Sequence, residues 1–278
     1  MTQFALILAL ALLAAPVAAQ DKTNSGLEAL ARRDQVLGWE AVGRIDLGQS
    51  AFCTGTLIAP DLVLTAAHCL FDEVRGKPFD PATITFRAGL RGSKVIATAT
   101  VRRAVADPAY VPFSQVSAES VAHDVALLEL AEPIPAGRAA PFAVASAGDA
   151  PQISVVSYAR GRADTLSWQR ACKIKDRDSR LMSFDCDVTF GSSGAPVFDL
   201  SGNRAKIISI ISSGHREGGK STSFGMALPA LVQGLKSALR SGNGVILAKG
   251  DAPRAQIRRI GVGSSDNAGI GARFVKAP

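Results

Sequence analysis

Three histidines occur in the 278 residues, at positions 68, 123 and 215, so chemistry that needs an imidazole has few places to sit. His68 lies in Leu64-Thr65-Ala66-Ala67-His68-Cys69, directly after a run of strand type and beside a cysteine able to tether it. His123 precedes Asp124 in His123-Asp124-Val125-Ala126-Leu127-Leu128, which sets a carboxylate at the start of a buried-looking strand. Phe190-Gly191-Ser192-Ser193-Gly194-Ala195-Pro196 then puts a serine on a tight turn framed by glycines. A serine hydroxyl is a poor nucleophile at neutral pH and needs a base within hydrogen-bond reach. His68 would take the Ser193 proton and return it to a leaving amine, and Asp124 would hold the imidazole tautomer. Taken singly, a core histidine, a strand-capping aspartate and a turn serine are ordinary; their joint order points to acyl transfer. His123 and His215 receive no role.

With those motifs in view, the chain resembles the secreted trypsin-like (chymotrypsin-fold) serine peptidases. The resemblance runs over residues 39–239 and adds Cys53-Thr54-Gly55-Thr56-Leu57-Ile58 to the three segments above. It implies an all-β fold of two antiparallel six-stranded β-barrels with a C-terminal helix, polypeptide substrates and no cofactor or metal. It also implies an oxyanion hole formed by the Gly191 and Ser193 N–H groups. Asp187, six residues before Ser193, has the spacing of the carboxylate that receives Arg or Lys in the trypsin branch, with Gly214 and Gly225 near the walls of that pocket. The same aspartate adjoins Cys186 and also reads as a polar strand residue, so a P1 preference for Arg or Lys is one of two readings. Ser192 stands where the zymogens of that branch carry an aspartate, and no Ile-Val-Gly-Gly-like start is present, so activation by a new N-terminus is not expected. An uncharged residue before the serine is nearer the glutamyl-endopeptidase-like branch. Glutamyl specificity is not supported, because Ile211 takes the position of that branch's substrate-reading histidine.

The elements that must hold these residues read as short strands: 52–58, 62–65, 83–88, 94–101, 125–130, 153–158, 195–198, 206–213 and 222–228, separated by Gly, Pro, Asp and Ser. Strands this short favour barrels or sandwiches over βαβ units. Leu228, Leu231, Val232, Leu235 and Leu239 share one helical face, with Pro229 at the start and Gly242 beyond the end. The halves are expected as an N-terminal barrel over 37–135 and a C-terminal barrel with its closing helix over 136–240, joined through an Ala, Gly and Pro-rich linker at 133–151. Residues 241–278 are expected as a basic, Gly-rich extension, with a small hairpin near 245–248 left open.

The 16-residue apolar run at 4–19 is short for a membrane span and ends in small residues, so residues 1–19 read as an export signal, with no membrane span after cleavage. Residues 20–36 are expected as a short propeptide. Export to a secreted or periplasmic location allows Cys53, Cys69, Cys172 and Cys186 to form two disulfides. Of the three possible pairings, the separations of 16 and 14 residues favour Cys53 with Cys69 and Cys172 with Cys186. Nothing has the C-x-x-C spacing of a zinc site. The formal net charge of +7 is scattered, and no specific nucleic-acid partner follows from it. A monomer is expected. Two rival classes remain: a catalytically silent binding scaffold and a polyanion-binding envelope protein.

Overall fold

The computed structural model describes residues 26–48, 51–149 and 152–250. The first half is a closed ring of six antiparallel strands: Val42–Leu47, Ala51–Ala59, Leu62–Thr65, Ala126–Leu130, Ala97–Ala106 and Ile84–Ala88. Closure depends on the ten-residue strand Ala97–Ala106. Its beginning pairs with Ile84–Ala88, and its end, after a register shift, pairs with Ala126–Leu130. Ring closure pairs its strands on both sides over most of their length, leaving an open edge at Arg103–Val105. Alternation fixes which side faces in: in Ile84–Ala88 the residues Ile84, Phe86 and Ala88 are buried while Arg87 faces out.

The second half divides its strands between two sheets. The six-stranded one orders Leu27–Ala29, Arg162–Cys172, Ile153–Ala159, Pro196–Asp199, Lys206–Ile210 and Ala143–Val144; the four-stranded one orders Ile174–Arg177, Leu181–Phe184, Lys220–Met226 and Ser213–Glu217. The 133–151 linker therefore contributes a strand, Ala143–Val144, parallel to Lys206–Ile207, and buries Phe142. Trp39, Phe142, Trp168 and Phe198 stack with ring centroids 4.7–5.9 Å apart, drawing residues from both halves into one continuous core. A second cluster packs Val155, Phe184, Val197 and Ile211 around the Cys172–Cys186 disulfide.

The closing helix spans Pro229–Ser241, with proline in its first turn and Gly242 after its last. Leu228 just before it and Val232, Leu235 and Leu239 on one face are all buried, each contributing roughly 1.5–3 kcal/mol by leaving water. Within the segment expected as a propeptide, Leu27–Ala29 pairs with Ser167–Gln169, and Leu30 and Val36 are buried. The basic extension begins with a strand, Val245–Leu247, added antiparallel to Arg103–Val105 of the first ring in place of a hairpin of its own. The signal at 1–19 and the extension beyond 250 lie outside the described residues. Among the described residues, no helix is long and apolar enough to cross a membrane.

Candidate active site

The strand Leu62–Thr65 ends in a single 3-10 turn, Ala67–Leu70, that carries His68. The turn is held from behind by the Cys53–Cys69 disulfide and by the buried Ala66, Ala67 and Leu70. Asp124 closes a six-residue helix, Ala118–His123, whose start is fixed by a reciprocal Ser117–Ser120 capping box. These elements bring His68 and Asp124 together twice over. The His68 backbone N–H donates to Asp124 Oδ1 at 2.9 Å, and His68 Nδ1 lies 2.7 Å from Asp124 Oδ2. Ser212 Oγ donates to the same Oδ2 at 2.6 Å. With both carboxylate oxygens engaged and Asp124 only 3% exposed, Nδ1 must carry a proton to face it, which leaves Nε2 as the free base. Burial disfavours the His68 imidazolium, but the charge and hydrogen bond of Asp124 together outweigh it and raise the pKa above the ordinary 6.5.

The serine turn is fastened onto the first barrel through Thr54. Thr54 N–H donates to the Ser193 carbonyl at 2.9 Å, and Thr54 Oγ donates to the Gly191 carbonyl at 2.8 Å while accepting from Tyr158 N–H at 3.0 Å. Gly194, at φ +76°, lies so close to the histidine strand that a Cβ would sit 2.2 Å from Thr65 Oγ1 and 2.3 Å from the Thr54 carbonyl. Gly191, at φ +95°, presses on the Phe52 ring, 2.3 Å from a built Cβ. Both positions require glycine on conformation and on space. The turn carrying Ser193 is thus held against the strand that leads to His68.

Around this turn the N–H groups of Ser192, Gly194 and Ala195 donate to protein carbonyls, as does that of Arg160 to the Phe190 carbonyl at 2.7 Å. The Gly191 and Ser193 N–H groups donate to no partner among the described residues. Because C=O and N–H point opposite ways in a trans peptide, turning Phe190 C=O toward Arg160 turns Gly191 N–H away from it. Ser192, which replaces the aspartate of the zymogens, is buried with its hydroxyl 3.5 Å from the Tyr158 carbonyl.

Asp187 is partnered within the chain. Its Oδ1 accepts from Arg216 at 2.8 Å and from Ser221 at 2.7 Å, and its backbone N–H donates to Gln169 at 2.7 Å. Arg162 lies near enough to feel its charge, although burial pushes that guanidinium down to about 10. The space opposite Gly214 is taken by Val188, whose side chain would lie 2.6 Å from a Cβ at that position, and a Cβ at Gly225 would lie 2.2 Å from the Ile210 carbonyl oxygen. Both glycines therefore accommodate the protein's own packing. Cys53 and Cys69 near His68, like Cys172 and Cys186 near Asp185, are geometrically close enough for a metal, but their sulfurs are joined in disulfides and offer no thiolate.

Thr54, Thr65, Tyr158 and Ser212 were not singled out by sequence. Their only signal is a hydroxyl inside an otherwise apolar strand or strand end, which becomes informative once the partner across the barrel is known.

Comparison with known proteins agrees with this arrangement. Residues 53–205, more than half of the chain, match the model of the trypsin-like peptidase domain. The chain is 27% identical over 154 residues to a glutamyl endopeptidase of Bacillus licheniformis, covering 55% of this chain and 46% of that protein. It is 30% identical over 172 residues to serine protease 23 of Macaca mulatta, covering 54% and 43%. A 121-residue match to transmembrane protease serine 9 of Rattus norvegicus is 36% identical and covers 36% and 10%. The chain thus spans less than half the length of these relatives. A Glu endopeptidase solved in complex with MPD shares the fold, with a TM-score of 0.61 and 21% identity over 77% of this chain and 96% of that one. With a paired imidazole and carboxylate on one barrel and a glycine-framed serine turn fastened to it from the other half, the chain belongs to the trypsin-like peptidase family.

Proposed function

We propose that the protein is a serine endopeptidase that hydrolyses peptide bonds through an acyl-enzyme. His68 Nε2 takes the Ser193 proton as Oγ attacks the substrate carbonyl carbon, and the tetrahedral oxyanion is met by the Gly191 and Ser193 N–H groups. The proton passes to the leaving amine, and water, deprotonated by the same imidazole, releases the acid and restores the serine. Asp124 keeps the tautomer throughout. The observation that carries this reading is the double engagement of Asp124 with His68, at 2.9 and 2.7 Å. The test is covalent labelling with a fluorophosphonate: adduct on Ser193 in wild type and none in Ser193→Ala. A folded wild-type protein that stays unlabelled would leave the silent-scaffold reading in its place.

For the P1 side chain, the ion pair of Asp187 with Arg216 favours a substrate residue other than Arg or Lys, since the carboxylate is already neutralised from within the chain. Arg162 adds a second cation nearby. A peptide library scanned at P1 should show poor cleavage after Arg and Lys, with that class gaining severalfold in Arg216→Ala as Asp187 is freed. Strong wild-type cleavage after Arg would return Asp187 to the cation-receiving role. The two disulfides favour an oxidising compartment, in keeping with residues 1–19 acting as an export signal.

A further inference from the structure

Most of the arginines that have charged neighbours are matched to carboxylates: Arg44 and Arg87 share Asp46, Arg102 and Arg103 share Glu129, Arg170 meets Glu28 and Arg180 meets Glu119. One region departs from this pattern. A cavity of about 590 Å³ is lined by Arg33, Arg91, Lys94 and Arg138 together with apolar Val95 and Ile96. Of its four cations, among the described residues only Arg33 has a carboxylate, Glu40 at 3.0 Å. Arg138 donates to the Ile96 carbonyl, which leaves its remaining N–H groups available. Arg91 Nε is buried with no hydrogen-bond partner, and the Lys94 ammonium is in no ion pair among the described residues.

The backbone holds these groups in place. Arg91 and Lys94 face each other across a tight turn, Arg91 N–H donating to the Lys94 carbonyl at 2.7 Å and Lys94 N–H to the Arg91 carbonyl at 2.9 Å. The turn is docked on the second half, where Gly92 N–H donates to the Asp164 carbonyl at 2.7 Å and Arg91 bridges Thr165. Three stretches distant in sequence therefore converge: the one around Arg33, this turn, and the one at Gly137 and Arg138. Like charges held together at a cavity, with a donor buried and unmatched, raise the energy of the empty protein and are relieved by a multivalent anion. Guanidinium groups match the oxygens of a tetrahedral anion two at a time.

We infer that this cavity is a binding site for phosphate or sulfate groups, separate from the serine turn and independent of the peptidase reading. The full chain is titrated with inorganic pyrophosphate by calorimetry at low salt. One site per chain is expected, weakening as salt rises. Lys94→Ala, at an exposed position that should not disturb folding, is expected to lower affinity roughly tenfold, as loss of one charge-assisted contact would, and Arg91→Lys to lower it because the fork is lost. Lys236→Ala with Arg240→Ala, which removes two charges from the closing helix, should leave it unchanged. An absence of binding at millimolar pyrophosphate overturns the site, as does an equal loss in the helix variant, which would reduce it to diffuse attraction. Sedimentation with phosphatidylglycerol vesicles separates the sources. Co-sedimentation lost in Lys94→Ala and competed by pyrophosphate assigns a membrane phosphate; pyrophosphate binding without co-sedimentation assigns a soluble one.

Discussion

At the scale of single residues, the site depends on which atoms carry protons. His68 is held above its usual pKa by Asp124 despite the opposing effect of burial, and the proposed mechanism needs it neutral. Activity should therefore rise with pH along a limb whose midpoint lies above 6.5; a plot of kcat/KM against pH that is flat from pH 4 to 9 would contradict it. The stability linkage has the opposite sense. Because the folded value exceeds the unfolded one, the stabilisation from this pair is complete below about 6.5 and is lost as pH climbs through the folded pKa. Asp124→Asn keeps the shape but presents a donor to Nδ1 and favours the wrong tautomer, so kcat should fall about 10⁴-fold with far less change in KM. Gly194→Ala should abolish labelling of Ser193, since the added methyl meets the Thr54 carbonyl and Thr65 hydroxyl.

At the scale of elements, the serine turn and the histidine strand are coupled through Thr54. Thr54→Val retains the shape and removes the hydroxyl that serves both Gly191 and Tyr158. The stranded Tyr158 N–H should cost about 1–3 kcal/mol by urea unfolding, with kcat falling more than KM rises because the Gly191 peptide loses its anchor. The Cys53–Cys69 link closes a 16-residue loop around His68, and replacing both cysteines by alanine should cost roughly 3 kcal/mol in the chain-entropy account. Strand Val245–Leu247 extends the first barrel by three residues. Truncation after Gly244 should lower stability by about 2–3 kcal/mol, near 1 per lost backbone bond, while leaving Ser193 labelling intact.

At the scale of the whole molecule, what could be read in advance was whatever is encoded locally. The motifs around His68, Asp124 and Ser193, the sequential cysteine pairing and the closing helix at Pro229–Ser241 rest on neighbours in the chain or on a repeat of 3.6 residues; the cysteine pairing and the helix are found where expected, and His68 and Asp124 meet in the fold. The long strand Arg162–Cys172 carries no such signal, because its buried positions include the polar Ser167 and Gln169, and the Gln169 side chain is met by the Asp187 N–H from a loop 18 positions away. The pairing of Leu27–Ala29 has no local signal either, since its partner strand lies about 140 positions away. Asp187 is the sharpest case. Its spacing from Ser193 is a property of sequence, but whether its carboxylate is available to a substrate cation depends on Arg216, brought to it by the pairing of Ser213–Glu217 with Lys220–Met226. Residue types and order determined the chemistry available to this protein. Which carboxylate stays free, which hydroxyl joins the two halves and which cations are left unmatched were decided only by folding, because electrostatic and hydrogen-bond energies depend on separations through space that the chain's order does not contain.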